Sequence, residues 1–209
     1  MVNAVRDQSG AIFVGSGDPM FISCTIAGNT SANGNAIYNS RPSNQVVLVN
    51  TLLWNPGTST EIGGYTSAIV FDYSLTRDDL TGNVLIDNVN QLTMNPELAF
   101  DYLLLAASVA RDAGTLSRYA ATDLDGETRA DGLKDIGADE FTDSDNDGLP
   151  DWIESLSGSD LAAGSDDDSD YLTNLEDYNS GANPLSNDTD GDGLLDGDEL
   201  FSDGTHGEK

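Results

Sequence analysis

Apolar side chains recur at a fixed spacing in the first third of the chain. Ile12, Ile37 and Ile62 lie 25 residues apart, the first two in the similar contexts GAIFV and NAIYN. Clusters of glycine, asparagine, serine and proline, such as GNTSANGN and NPGTST, separate the apolar segments and predict turns. A repeat of this length is typical of structural units that stack on one another.

A second apolar register runs between these isoleucines, through the segments FISCTIAGN, VLVNTLLWN and VFDYSLTRD. Cys24, Asn50 and Tyr73 correspond in this register, at spacings of 26 and 23 residues. Alternate residues are apolar, and a period of two predicts strands. The side chains predicted to point inward are Met20, Ile22, Cys24 and Ile26, then Val46, Leu48, Asn50 and Leu52, then Ile69, Phe71, Tyr73 and Leu75.

Two strands and two turns within each repeat of 23 to 26 residues predict a parallel β-helix for residues 1–83. The predicted fold class is therefore all-β, a β-helix stub of about three coils with at least two strands in each. An inward Cys24 is expected to act as a small buried hydrophobic residue. An inward Asn50 needs hydrogen-bond partners, since leaving it without them would cost about 1–3 kcal/mol.

Residues 84–141 interrupt this repeat. Helix propensity alone predicts a helix in PELAFDYLLLAASVARDAG, ended by Gly114. However, DYLLLAASVARDAG and ATDLDGETRADGLKDIGADEF resemble the segments that end many bacterial right-handed β-helix proteins. This resemblance implies a strand at 102–105, a short helical turn at 108–112 and a closing strand at 135–141. Such a segment would cover the open end of the β-helix, where backbone groups are otherwise unpaired.

Two twelve-residue loops near the C-terminus have the spacing of a calcium-binding loop. Oxygen-bearing side chains stand at positions 1, 3, 5, 9 and 12, position 6 is glycine, and position 7 offers a backbone carbonyl. The predicted ligands are Asp143, Asp145, Asp147, Leu149, Asp151 and Glu154 in the first loop, and Asp188, Asp190, Asp192, Leu194, Asp196 and Glu199 in the last. The two leucines are expected to pack inward. So many carboxylates would repel one another unless a cation lay among them.

A degenerate third copy lies between these loops. Its predicted ligands are Asp166, Asp168, Asp170, Leu172, Asn174 and Asp177. Tyr171 replaces the glycine, and a left-handed conformation there would cost about 1–3 kcal/mol. The loops start 23 and 22 residues apart, which indicates repeats. We therefore expect two calcium sites and a third, weaker one.

No helical pattern precedes the first loop, which argues against a helix–loop–helix EF-hand. Short helices are predicted after two of the loops, at 150–156 and 173–178, the second ended by Gly181. With its D-x-D-x-D-G-L-x-D/N pattern and the connector NPLSNDTDGDG, the segment 143–199 resembles the thrombospondin type 3 repeats of bacterial surface proteins. Dockerin domains use a related loop but carry longer apolar and basic helices, so they are the less favoured resemblance. The predicted domains are 1–83, 84–141 and 142–209.

Charge is unevenly distributed along the chain. The formal net charge is −29, and residues 143–209 hold 20 acidic residues and one base, Lys209. With so few apolar residues, this tail is expected to need metal binding for much of its folding free energy. Nucleic acid is not expected as a partner, because phosphate contacts need clustered lysine and arginine.

The sequence also predicts a location. It has no signal peptide and no apolar run of membrane length, and it begins within a coil and ends within a repeat. We therefore interpret it as a piece of a longer exported protein, secreted or at the cell surface, where calcium is abundant. His206, the single histidine, is expected to be solvated.

Two functions remain open at this stage. The favoured one is the end of an adhesin-like or carbohydrate-contacting extracellular β-helix, carried on a calcium-stiffened spacer. The alternative is the C-terminal part of a polysaccharide lyase or glycoside hydrolase, whose active site would lie upstream. Within this chain Asp72, Arg77, Asp78 and Asp79 are weak catalytic candidates, and they are better explained as a solvated turn. Asp123 or Asp125 is expected to pair with Arg129 and hold another turn.

Overall fold

A computed structural model describes residues 10–55, 59–66, 69–78, 95–99, 102–129, 132–156, 158 and 161–201. Two predicted residues lie outside these ranges, Asp79 and His206. So do the parts of the β-helix and capping predictions at 1–9 and 79–94. Contacts divide the chain into two compact units. The coil unit comprises 1–96 and 108–140, and the repeat unit comprises 97–107 and 141–209. The predicted segment 84–141 is thus divided between them.

In its described residues the coil unit has nine short strands, three in each of three coils. The first coil has β1 (Ile12–Val14), β2 (Met20–Ile22) and β3 (Thr25–Ala27), the second β4 (Ile37–Asn39), β5 (Val46–Val49) and β6 (Leu52–Trp54), and the third β7 (Ile62–Gly64), β8 (Ile69–Asp72) and β9 (Leu75–Thr76). Strands of the same place in each coil pair in parallel, in the orders β1-β4-β7, β2-β5-β8 and β3-β6-β9. These three parallel sheets confirm the predicted stack of β-helix coils.

The core of the coil unit runs through the middle of the stack. Ile37, Leu48, Ile69 and Phe71 have no exposed surface and belong to one apolar cluster. Ile12, Ile37 and Ile62 pair directly across the first sheet, which confirms the 25-residue register. Each isoleucine thereby stacks on its equivalent in the next coil.

The second predicted register is wrong by one residue in the first coil. Ile22 pairs with Val49, so Ser23 rather than Cys24 is the equivalent of Asn50. Met20 accordingly points outward and is 43% exposed. The segment Met20–Ile22 is apolar at every position, so alternation does not reveal which residues face inward, and a shift by one exchanges the two faces. Cys24 is partly buried, and its thiol donates a hydrogen bond to the carbonyl oxygen of Ile22.

The corner that follows the second sheet has the same backbone in every coil. Ser23, Asn50 and Tyr73 have φ values of 49°, 46° and 49°, in the left-handed region. Asn50 finds its hydrogen bonds outside the coils: its amide donates to the carbonyl oxygens of Thr115 and Arg118, and its Oδ1 accepts from the N–H of Thr115. The partners that the sequence required are therefore supplied by the segment after the coils.

The segment after the coils follows neither of the two sequence expectations in detail. In the described part of 95–140 there is no α-helix and no strand of two or more residues. The predicted strand 102–105 is reduced to one antiparallel bridge between Leu98 and Leu104, the turn at 108–112 is not helical, and 135–141 forms bends. Hydrogen bonds of Ala120, Gly137 and Ala138 reach the coil corner, so irregular backbone replaces the ladder that a closing strand would have made. Cover of the open end stays a prediction.

The described part of the repeat unit includes three short helices, α1 (Asp151–Ser155), α2 (Asn174–Ser180) and α3 (Asp196–Leu200). The first two confirm the predicted helices. Thr173 and Glu176 form a capping box at the start of α2, and Gly181 ends it with φ 89°. Tyr178 is fully buried, and its hydroxyl donates to the carbonyl oxygen of Leu104 at 2.5 Å, which holds the segment 97–107 within this unit.

Among the described helices, none is both long and apolar enough to cross a membrane.

Candidate metal centre

The three acidic loops of the repeat unit share one backbone conformation. Positions 4 and 6 have positive φ in each of them. The values are 63° at Asn146 and 99° at Gly148, 68° at Ser169 and 84° at Tyr171, and 76° at Gly191 and 98° at Gly193. Tyr171 is thus held in a conformation that favours glycine, as its place in the repeat predicted.

The carboxylate at position 1 organises each loop in the same way. Asp143 accepts hydrogen bonds from the N–H groups at positions 4 and 6, at 2.7 and 3.1 Å. Asp166 and Asp188 do the same in the second and third loops. One oxygen binds each N–H, so the turn is closed around the carboxylate and both oxygens stay inside the loop.

Position 5 adds a second common contact, to the N–H of position 7. The distances are 3.0 Å for Asp147 and Leu149, 2.8 Å for Asp170 and Leu172, and 3.0 Å for Asp192 and Leu194. Leu149 and Leu172 are buried, whereas Leu194 is 54% exposed, so the expected inward packing is wrong for the last loop.

Carboxylates at positions 1, 3 and 5 converge in all three loops. Each set offers three oxygen atoms that lie within 4.8 Å of one another. The sets are Asp143, Asp145 and Asp147; Asp166, Asp168 and Asp170; and Asp188, Asp190 and Asp192. Ca–O bonds measure about 2.3–2.6 Å, so oxygens at such separations can bind one ion. These clusters could therefore hold a metal ion.

The predicted ligands at position 9 lie beside the loops and bind position 2. Asp151 accepts from the N–H and the hydroxyl of Ser144, both at 2.6 Å. Asp196 accepts in the same way from Thr189, and Asn174 bonds to Asp167. The residue at position 9 thus fixes the first turn of its loop.

Position 12 differs among the loops. Glu154 is buried in α1, Asp177 is buried in α2, and Glu199 is exposed. Only Asp177 belongs to one of the convergent clusters in the described residues, and that cluster joins two loops.

This fourth cluster consists of Asp170, Asp177 and Asp196, all three of them buried. Burial, followed by the neighbouring Asp170 and Asp168, raises the pKa of Asp177 to about 7. Burial and the same acidic neighbourhood raise the pKa of Asp168 to about 6. The sequence placed Asp196 in the third loop and gave no indication of this contact.

A fifth cluster lies in the coil unit, at Asp123, Asp125 and Glu127. The expected pairing with Arg129 is wrong, because Arg129 Nη1 lies 2.6 Å from Glu140 Oε2 in a buried ion pair. Asp123 instead accepts a hydrogen bond from the N–H of Gly126. Burial, followed by Asp123, raises the pKa of Asp125 to about 7.

Two of the residues weighed as catalytic candidates, Arg77 and Asp78, hold a turn of the coil unit. Asp78 accepts from the N–H groups of Glu61 and Ile62, at 2.7 and 3.1 Å. Arg77 donates to the carbonyl oxygen of Ser59 and lies 3.4 Å from Glu61. Burial raises the pKa of Glu61, and the hydrogen bonds from Asn55 oppose that rise. These contacts are structural.

Comparisons of the chain with protein-family profiles, with curated proteins and with solved structures find no match.

Proposed function

We propose that the repeat unit binds calcium ions and that their binding supplies much of its folding free energy. The observation that carries this proposal is the threefold recurrence of one loop, with the same positive-φ positions and the same contacts from positions 1 and 5. A solvated acidic turn would have no reason to repeat these features in three places. Calcium prefers six to eight oxygen ligands in a flexible arrangement, which carboxylates and a backbone carbonyl provide.

Other common metal ions fit this donor set less well. The clusters in the described part of the repeat unit contain carboxylates and no cysteine or histidine, whereas structural zinc sites are built from those residues. Magnesium binds at shorter distances, demands an octahedral shell and usually keeps several waters. A converging set of carboxylates therefore favours calcium.

We further propose an extracellular or cell-surface role, adhesin-like or carbohydrate-contacting, with the calcium-loaded repeats as a spacer. Support comes from the parallel coils, which offer stacked flat faces, and from the net charge of −29. Calcium outside cells reaches millimolar concentrations, which suits loops of this type. No contact of the described residues favours the polysaccharide-cleaving alternative.

Titration calorimetry of the purified chain tests calcium binding directly. We expect uptake of at least three calcium ions, with much weaker heats for magnesium. Asp143→Asn should remove one ion, while Asp198→Asn, which changes an exposed acid on α3 outside every described cluster, should remove none. Absence of calcium uptake at millimolar concentration would refute the proposal.

A further inference from the structure

We propose that Asp196 of the third repeat completes a cation site of the second repeat, so that one calcium ion is held jointly by Asp170, Asp177 and Asp196. This inference rests on the proposed calcium binding. It changes the expected ranking of the loops by calcium affinity, because the most enclosed site would then lie at the degenerate loop that contains Tyr171.

The burial of this cluster sets it apart from the other four. Asp170, Asp177 and Asp196 are 0%, 0% and 6% exposed. Each of the remaining clusters in the described residues includes at least one exposed carboxylate. Three buried carboxylates with oxygens within 4.8 Å of one another are unfavourable without a positive charge between them.

Asp177 gives an independent indication of a ligand. Its side chain is completely buried, yet no described group donates a hydrogen bond to either of its oxygens. One of those oxygens lies within 4.8 Å of oxygens of both Asp170 and Asp196. Buried carboxylates in proteins normally accept hydrogen bonds or bind metal ions. The free lone pairs of Asp177 thus point to a cation at the centre of the cluster.

The two other carboxylates keep capacity for the same ion. The oxygens of Asp196 accept from the N–H and the hydroxyl of Thr189, at 2.9 and 2.8 Å. Asp170 accepts from Leu172 and from Gly197. A carboxylate offers about four lone-pair directions, so these contacts orient both side chains and leave positions for a metal.

The backbone of α3 is fitted to the second loop. The N–H of Gly197 donates to Asp170 at 3.1 Å. A Cβ atom at Gly197 would collide with the carbonyl oxygen of Asp170. Glycine at this position therefore lets the start of α3 approach the loop closely enough for Asp196 to reach the cluster.

Calcium stoichiometry of paired variants tests this arrangement in the full chain. Asp192→Asn should remove only the ion of the third loop, since Asp192 belongs to the exposed cluster there. Adding Asp196→Asn should then remove a second ion, whereas adding Asp198→Asn, with the same change of charge, should remove no further ion. Equal stoichiometry of D192N and D192N/D196N would overturn the joint site while leaving calcium binding intact. A wild-type chain that takes up no calcium would instead refute the proposed function itself.

Gly197→Ala provides a second test that removes no ligand. It should weaken one calcium site at least tenfold by pushing α3 away from Asp170. Gly164→Ala, at a glycine where an added Cβ would meet no atom within 4 Å, should change no site. Unchanged calcium affinities in G197A would contradict the proposal.

Discussion

The coil unit and the repeat unit are ordered by opposite kinds of side chain. In the coils, apolar residues such as Leu48 and Phe71 are buried, and strands at the same place in successive coils pair in parallel. In the repeats, carboxylates accept hydrogen bonds from the backbone N–H groups of their own loops and converge on one another. The first arrangement is favoured by the burial of apolar surface. The second accumulates negative charge and becomes favourable once a cation neutralises it.

The largest expected effect comes from removing calcium. A chelator should open the repeat unit and leave the coil unit unchanged, because each site at a hundred times its Kd contributes about 2.7 kcal/mol to the folded state. Hydrogen–deuterium exchange with and without calcium measures this separately for the two units. Equal amide exchange of α1 to α3 with and without calcium would contradict the proposal that only the repeat unit depends on calcium.

Truncating a core side chain of the coil unit should destabilise that unit and leave the repeat unit unaffected. Phe71 is fully buried, so Phe71→Ala should lower the free energy of unfolding of the coil unit by about 3–5 kcal/mol. Calcium affinities should stay unchanged. Urea denaturation followed in calcium-loaded protein gives the first quantity and calorimetry the second. Phe13→Ala serves as the control, since Phe13 is 56% exposed and should lose much less.

In calcium-free protein, the carboxylate of Asp177 is expected to destabilise the folded repeat unit. Burial holds its pKa at about 7, whereas an unfolded chain loses this proton near a pKa of about 4. Between these values the folded unit binds more protons, so its metal-free stability falls as the pH rises. Asp177→Asn should remove this loss and stabilise the calcium-free unit by about 1–3 kcal/mol at pH 8.

Denaturation of calcium-free protein at pH 5 and pH 8 checks that expectation. The wild type should lose stability between the two, and the Asn variant should lose less of it. The same variant should gain less stability than the wild type when calcium is added. A variant that is less stable than the wild type without calcium at pH 8 would speak against a buried, charged carboxylate at this position.

The smallest expected effect concerns the turn of the second loop. Tyr171 has φ 84° and is 65% exposed, so replacing it with glycine relieves strain and sacrifices little buried surface. Tyr171→Gly should stabilise the repeat unit by about 1 kcal/mol. Gly193→Ala, at φ 98° in the third loop, should destabilise it by a similar amount. Thermal unfolding in calcium compares the two changes, and a loss of stability in Y171G would show that the tyrosine side chain matters more than its backbone.

Features of the fold could be predicted from the sequence where a residue type is compatible with only one local structure. The isoleucines at 12, 37 and 62 revealed the register of the first sheet, and Gly148 and Gly193 marked the left-handed positions. It failed at Met20–Ile22, where every residue is apolar and the inward face is set by neighbouring coils. The cluster around Asp196 could not be predicted either, because it depends on where α3 packs and not on spacing within a loop.

The left-handed corner of the coils has a mechanical consequence. Serine, asparagine and tyrosine adopt nearly the same unfavourable φ at Ser23, Asn50 and Tyr73, although their side chains have little in common. The bend is therefore imposed by adjacent coils and not chosen by each residue. Strand pairing between coils and the hydrogen bonds that Ala120 and Thr115 donate to Ser23 and Asn50 hold this bend in place. A stack built in this way would lose its corner conformation cooperatively, because no single residue in it favours that conformation over all others.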